Sequence, residues 1–260
     1  MATLILTGSV GSGIAKSGTP HNQPSDVAKV RDRLVQLGYE WVSGFTLGIE
    51  AEFIGTIKLF QSICKGSPKA NNGDGRIDLH GNTHRWLAAG NAPGWVKIHM
   101  QSGIGWKSTH DLEFKERMNS HTTTWMEERI RSAGLEYSVS ALLIPNAPPM
   151  WIRDCSPAKG GDALGHKSHQ TGLDVDMRLP LLPPKTNDWD RLGPSTYTEL
   201  FYLEAALAQL RAIKARMDAE YVWFNDPRCI KEKLCKEYPN HGNHYHIRIR
   251  PPAREEGTYK

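Results

Sequence analysis

The chain has 260 residues, of which 39% are hydrophobic, and 32 basic against 28 acidic residues give it a formal net charge of +4. This apolar content is enough to bury a core, which excludes disorder as the main state. No apolar run approaches the roughly 18 residues of a membrane-spanning helix, so the sequence predicts no membrane span. The small basic surplus does not indicate a nucleic-acid partner, although it suits an anionic polymer.

The first part of the chain is predicted to form three short helices joined by glycine-rich turns. Residues 8–24 are rich in Gly, Ser, Pro and Asn, which is typical of an irregular entry segment. Ser25 and Asp26 offer helix-cap chemistry before an apolar run of helical spacing, and Gly38 ends that run. The second and third helices are predicted over Glu50–Ile63 and Thr83–Ala89.

The Gly- and Pro-rich cluster Gly90–Gly94 marks the predicted boundary between a first domain, residues 1–92, and a second, residues 93–260. Helices and strands are mixed in the second domain, so the predicted fold class is α+β. Its predicted helices lie within 111–133, with Trp125, Met126 and Ile130 buried, and over 195–217, capped by Ser195. Its predicted strands are Tyr137–Ile144, Leu173–Met177, Tyr221–Phe224 and His244–Arg250.

Five of the eleven histidines lie in two short windows that also contain aspartates. Because residues i and i+2 of a strand point to one face, Asp174 and Asp176 project together, as do His244 and His246. Two imidazoles and a carboxylate with a fourth position open form the layout of catalytic zinc, which acidifies its bound water and polarises carbonyls. Spacing alone does not choose between His166 and His169, between the two aspartates, or between the strand histidines.

The other six histidines are interpreted as isolated residues without a role in this site: His21, His80, His84, His99, His110 and His121. Arg248 and Arg250 follow the second window and project to the same strand face as its histidines. They are equally well interpreted as solvated strand residues.

These windows resemble the paired motifs of the penicillin-insensitive murein endopeptidases. Those enzymes belong to a zinc peptidase group with the lysostaphin-type enzymes, the D-Ala-D-Ala dipeptidases and the hedgehog fold. The first similar stretch is Gly165-His166-x-Ser168-His169-Gln170-x-Gly172-Leu173-Asp174-Val175-Asp176, and the second is His241-x-x-His244-x-His246-x-Arg248-x-Arg250. The intervening segments 224–227 and 230–235 are also similar, and the resemblance covers about residues 135–252.

The resemblance implies one zinc ion bound by His169, Asp176 and His246 in a domain with a central antiparallel sheet. It also implies that His244 lies beside the metal as a general base or a stabiliser of developing charge. His241 and His166 match further histidines that line the site in that family. Asp174 is left as a supporting carboxylate rather than a ligand.

Residues 8–90 are similar to three-helix peptidoglycan-binding domains. The similar stretches are Asp26-Val27-x-x-Val30-x-x-x-Leu34-x-x-Leu37-Gly38-Tyr39, Phe53-Ile54-Gly55-Thr56-Ile57-x-x-Phe60-Gln61, and Gly75-Arg76-Ile77-Asp78 followed by Thr83-His84-Arg85-Trp86-Leu87. The alternative is a helical cap without a binding role. The run 72–78 is interpreted as a tight turn, because an EF-hand loop there would have Ala70 and Gly81 at its acidic positions.

The resemblances together imply a peptidase that cleaves D-alanyl–diaminopimelate cross-links of peptidoglycan by metal-assisted hydrolysis. In this hypothesis the metal binds water and the scissile carbonyl, while His244, with His241 nearby, moves the proton to the leaving amine. A zinc carboxypeptidase or amidase of the cell wall, or a non-catalytic wall-binding protein with a structural metal, are the alternatives. The expected partner is peptidoglycan, and the expected state is a monomer.

The N-terminal residues lack the features of a Sec-type signal peptide. We therefore expect synthesis in the cytoplasm and action on the periplasmic cell wall, as a phage endolysin released through a holin or as an effector delivered by a secretion system. The four cysteines, Cys64, Cys155, Cys229 and Cys235, form no CxxC pair, so a zinc finger is not predicted. Cys229 and Cys235 are close enough in sequence to bridge, and buried free thiols are the equal alternative.

Overall fold

The structure, a computed structural model, describes residues 3–14, 18, 20–43, 49–98, 101–108, 119–183, 199–256 and 258–259. This part of the chain is mixed α+β and contains six α-helices. They are α1 (Pro24–Gln36), α2 (Ala51–Cys64), α3 (Asn82–Ala88), α4 (Thr124–Ala141), α5 (Leu203–Arg216) and α6 (Pro227–Lys231). A 3₁₀ turn covers Glu40–Val42. None of these helices is both long and apolar enough to cross a membrane.

Twelve short strands accompany the helices in the described residues. They are β1 (Thr3–Leu4), β2 (Val10–Gly11), β3 (Arg76–Ile77), β4 (Trp95–Lys97), β5 (Ser102–Gly103), β6 (Trp106–Ser108), β7 (His121–Thr123), β8 (Met150–Ile152), β9 (Asp174–Arg178), β10 (Ala219–Trp223), β11 (His244–Ile249) and β12 (Thr258–Tyr259). Six of them form the main sheet, in the order β10-β11-β9-β8-β6-β5. Only β6 and β8 in that sheet run parallel, so it is mixed rather than purely antiparallel.

The first three helices form within one or two residues of their predicted ends. Val27, Val30 and Leu34 of α1 are buried, and Gly38 stops the helix in a left-handed conformation (φ +89°). The predicted cap is wrong, however, because Gln23 precedes the helix and Pro24 begins it. Pro24 suits this place, since the first turn needs no backbone donor there.

The strand predicted over Tyr137–Ile144 is also wrong, because α4 extends through Ala141. Thr123 begins this helix by accepting a hydrogen bond from the backbone N–H of Met126. One face of α4, with Trp125, Met126 and Ile130 buried as predicted, packs against α5. Leu135 and Val139 of α4, and Leu142 and Leu143 just after its end, are exposed, so the apolar residues of this stretch are not the buried face of a strand. The predicted positions 111–118 and Ser195 lie outside the described residues.

The hydrophobic core is continuous across the predicted boundary at Gly90–Gly94. The ring of Trp86 lies 5.4 Å from that of Trp125, and the buried Tyr39 hydroxyl donates to the carbonyl of Pro93 at 3.0 Å. At the other end of the chain, β12 pairs in parallel with β1. Residues before and after the boundary therefore pack on one another directly.

All four cysteines are free, and Cys155, Cys229 and Cys235 are buried. The bridge considered between Cys229 and Cys235 is absent from the structure, and the two residues are packed as small apolar side chains.

Candidate metal centre

The register of β9 against β11 places the key acidic and basic side chains on one face of the sheet. His246 lies opposite Asp176, and Arg248 lies opposite Asp174. Because side chains two residues apart share a face, both pairs project to the same side. The strands are central in the sheet, and all four of these side chains are at most 5% exposed.

The third member of the group, His169, comes from the loop that precedes β9. Its backbone has φ +35°, a left-handed conformation that is uncommon for any residue other than glycine. The Nδ1–H of His169 donates to the carbonyl of Cys155 at 2.8 Å, which fixes the orientation of the buried ring. Its Nε2 atom then lies 3.2 Å from Oδ1 of Asp176 and 3.2 Å from Nδ1 of His246.

His169 and His246 each have one ring nitrogen near Asp176 and a second nitrogen in contact with another acceptor. The hydrogen bond at that second nitrogen determines where the lone pair of a neutral ring lies. Nε2 of His246 lies 3.1 Å from Oδ1 of Asp174, and in the neutral tautomer whose Nε2–H donates there, Nδ1 carries the lone pair. That lone pair faces Oδ1 of Asp176 at 3.0 Å. Two imidazole lone pairs and one carboxylate oxygen therefore converge, with no hydrogen between them when both rings are neutral. Such a group requires a cation, either a proton or a metal ion.

The pKa values of the buried groups show the same demand for positive charge. Burial alone disfavours the charged form of His246, but hydrogen bonds to Asp174 and Asp176 outweigh it and raise the pKa to about 9. Burial likewise opposes the charge on His169, yet the attraction of Asp176 raises its pKa. For Asp176 the burial penalty is overcome by His169 and His246, and its pKa falls well below the ordinary value.

Three further histidines surround this group. Nδ1 of His166 lies 3.6 Å and Nε2 of His244 lies 3.7 Å from Oδ2 of Asp176, while Oδ1 contacts His169 and His246. The ring of His241 lies 4.9 Å from that of His244 and donates its Nδ1–H to the carbonyl of Pro239 at 2.7 Å. The six residues form two groups able to hold a metal ion, His166, His169 and Asp176 in one and His241, His244 and His246 in the other.

Unlike the two innermost histidines, these outer ones favour the neutral form. Burial is the main cause in each case and lowers the pKa of His244 to about 4. It also lowers the pKa of His166 and of His241. Neutral imidazoles at neutral pH are able to accept a proton, which is the property that a general base requires.

The histidines open into a cleft of about 590 Å³ with an aromatic wall. Trp223 of β10 stacks between Tyr221, at 3.9 Å, and Tyr238, at 3.8 Å. Its ring centre also lies 4.9 Å from that of His246. Pro68, which comes from the segment after α2, also lines the cleft. A molecule bound here would contact aromatic carbon on one side and imidazole nitrogen at the base.

Sequence reasoning left the role of two charged residues near the group open. Asp174, expected to be a supporting carboxylate, does accept the hydrogen bond from His246. Arg248, considered a possible solvated residue, is 2% exposed and paired with Asp174, whereas Arg250 is exposed. The sequence did contain a signal for this pairing. Asp174 and Asp176 have the same i, i+2 spacing as His246 and Arg248, and opposite charges on neighbouring strands tend to pair.

The six histidines interpreted as isolated residues lie outside the two histidine windows. Those within the described part of the chain make contacts elsewhere. His84 is fully buried rather than at the surface, and its Nε2 bonds the carbonyl of Leu4 at 2.9 Å. His21 bonds the hydroxyl of Ser9, and His121 belongs to β7. His99 and His110 lie outside the described residues.

A scan of the sequence against protein-family models finds no match, and a search among curated proteins finds none. The geometry of the group is therefore the basis for a function.

Proposed function

We propose that the chain is a zinc-dependent peptidase that hydrolyses peptide cross-links of bacterial peptidoglycan, with His169, Asp176 and His246 as the metal ligands. The observation that carries this proposal is the convergence of Nε2 of His169, Nδ1 of His246 and Oδ1 of Asp176, separated by 3.0–3.2 Å, beside an open cleft. The resemblance of both histidine windows to murein endopeptidase motifs supports the choice of substrate.

The donor set fits zinc. Two neutral imidazoles and a carboxylate are typical zinc ligands, and ligand atoms about 2.0–2.1 Å from a tetrahedral ion stand about 3.3–3.4 Å apart. The three separations in the structure fall slightly below that range, so little movement is needed to seat an ion. The hydrogen bonds to Cys155 and Asp174 are the outer contacts that fix the orientation of ligating histidines.

The protein groups around the ligands suit hydrolysis of an amide. When bound, zinc polarises a carbonyl oxygen and makes water acidic near neutral pH. His244, whose pKa is lowered mainly by burial, would accept the proton of the attacking water and pass it to the leaving amine. His241, in ring contact with His244, and His166, beside the other side of Asp176, would bind polar groups of the substrate.

The residues before Gly90 are proposed to contact peptidoglycan as a three-helix binding module, acting with the cleft on one polymer. The packing of Trp86 on Trp125 supports a fixed arrangement of the two parts. In this proposal the enzyme is a monomer and works on the periplasmic cell wall, as a phage endolysin or a secreted effector.

The test combines metal analysis with product mapping on defined muropeptides. The wild-type protein should bind one zinc ion and convert cross-linked dimers to monomers, as read by mass spectrometry. His246→Ala should lose both zinc and activity, whereas His244→Ala should keep zinc and lose about 10²–10⁴-fold in rate. The exposed His80→Ala is the matched control and should change neither.

The products also separate the alternatives. Release of single D-alanine would identify a carboxypeptidase at the same site, and binding without any product would identify a wall-binding protein. Full activity of a metal-free sample, or of His246→Ala, would show that the proposed mechanism is wrong.

A further inference from the structure

A short segment from the N-terminal part of the chain, Gly66–Ala70, lies against the metal centre; we refer to it as the docking segment. The hydroxyl of Thr171 donates to the carbonyl of Ser67 at 2.9 Å, and the N–H of Ala70 donates to Oε1 of Gln170 at 3.2 Å. Both partners follow His169 directly in sequence. Pro68, at the middle of the segment, lines the cleft.

Arg248 connects this segment to the ligand His246. Its Nη2–H donates to the carbonyl of Gly66 at 2.7 Å, while Nη1 pairs with Oδ2 of Asp174. The other oxygen of Asp174 accepts from Nε2 of His246. Arg248 is 2% and Asp174 0% exposed, so this chain of contacts is shielded from water. The remaining guanidinium nitrogen, Nε, lies 3.3 Å from the half-exposed carboxylate of Glu220.

We propose that Arg248 is a positioning residue that couples the docking segment to the metal centre, so that zinc binding and docking of this segment strengthen each other. The inference rests on the proposed function only in requiring a zinc ion at His169, Asp176 and His246. It assigns to the N-terminal part of the chain a role in building the catalytic site, beyond binding the polymer.

The planar guanidinium explains why arginine is needed for this coupling. Its forked donors bond the carboxylate and the carbonyl at once, which fixes Asp174 and, through it, the ring of His246. A lysine ammonium can neutralise Asp174 but lacks the fixed fork. Without either cation, the buried carboxylate of Asp174 keeps its contact with His246 but loses its charged partner, which weakens the control of its orientation.

The first experiment measures zinc affinity by competition with a chelator of known affinity, on full-length protein checked for folding by circular dichroism. Arg248→Met should weaken zinc binding by about 10–100-fold, the range for loss of an outer contact of a metal ligand. Arg248→Lys should fall between Arg248→Met and the wild type. Arg250→Met, an exposed arginine two residues away, is the matched control and should leave the affinity unchanged.

The second experiment measures the effect of zinc on the docking segment, by amide hydrogen exchange with and without the metal. Since coupling between two sites is reciprocal, zinc should slow exchange at the amides of Ser67, Lys69 and Ala70 in the wild type. In Arg248→Met, at a zinc concentration that saturates the variant, the same addition should slow exchange at these amides less than in the wild type, because only the contacts through Gln170 and Thr171 remain. Neither readout depends on enzymatic activity.

Thr171→Val is a second variant that can be used if Arg248→Met does not fold. It removes only the hydrogen bond from the Thr171 hydroxyl to the carbonyl of Ser67. It should weaken zinc binding by about fivefold or more. The inference is overturned if the folded variants bind zinc within twofold of wild type, or if zinc leaves the docking segment's exchange unchanged in the wild type. A protein that binds zinc with this coupling but digests no peptidoglycan would refute the proposed function and leave the coupling established.

Discussion

Gly172 packs against Trp95 so closely that a methyl group on its α-carbon would lie 2.8 Å from the ring carbon Cζ3. The same methyl group would lie 2.7 Å from the backbone nitrogen of Thr123. This glycine sits between His169 and β9, and its carbonyl accepts hydrogen bonds from the hydroxyls of Thr122 and Thr123. The loop that carries His169 is thus fixed to the body of the fold at Gly172.

Gly172→Ala should therefore destabilise the protein by more than about 1 kcal/mol, through both the contact and the left-handed backbone (φ +66°). Urea denaturation at pH 7 measures the free energy of unfolding. Gly55→Ala, in the exposed interior of α2 with open space around it, should raise that free energy by about 0.5–1 kcal/mol. Equal effects of the two substitutions would contradict the packing at Gly172.

Asp26 should make the stability of the protein fall in acid. Burial raises the pKa of this side chain, but hydrogen bonds from Thr7 and Gly8 and the nearby Lys29 more than compensate, and the net pKa lies below its ordinary value. A carboxyl group with a lowered pKa contributes stability above its unfolded pKa of about 3.9, and that contribution is lost as the pH falls through the folded value.

Asp26→Asn should consequently cost about 1–3 kcal/mol at pH 7, with a difference from wild type that shrinks below about pH 4. Denaturant titrations across this pH range provide the measurement. The control is Asp32→Asn, at an exposed position of the same helix. A deficit of Asp26→Asn that stays constant down to the lowest pH would speak against the role of the charge.

The continuous core predicts that the parts before and after Gly90–Gly94 unfold together. Tyr39→Phe, which removes the bond to Pro93 across that boundary, should destabilise both parts by about 1–2 kcal/mol. Tryptophan fluorescence and far-ultraviolet circular dichroism should give one coincident transition in wild type and variant. Two separated transitions, with only one shifted by the substitution, would show that the parts unfold independently.

Zinc should stabilise the folded chain by mass action. At a free concentration one hundred times the dissociation constant, the free energy of unfolding should rise by about 2.7 kcal/mol, since the ligands come together only in the folded state. Denaturant titrations with zinc and with a chelator measure this gain. His246→Ala should show none of it, and an equal gain in that variant would place the ion elsewhere.

Local patterns were sufficient to predict much of the secondary structure. Helical spacing predicted α1 to α3, and alternation predicted the strand from His244, because both signals reside in neighbouring residues. The same alternation misled at Tyr137–Ile144, where buried Tyr137 and exposed Val139 belong to the end of α4 rather than to a strand.

The site depended on information that neighbouring residues do not contain. That Asp174 and Asp176 share a face follows from spacing, but the register that puts Asp176 opposite His246 does not. The burial of Arg248 follows from that register and from the carbonyl of Gly66, far away in sequence. The orientation of His169 likewise depends on the carbonyl of Cys155, which no sequence motif indicates.

The proposed ligands and their supports are separated widely along the chain: Asp174 and its partner His246 are 72 positions apart, and Gly66 lies 182 positions before Arg248. Closing such long loops costs chain entropy before any contact compensates for it, which slows folding. A ribosome-bound chain that ends before β11 has only part of the ligand set. In the proposed function, all three zinc ligands are therefore present only after the last strand of the main sheet has been synthesised.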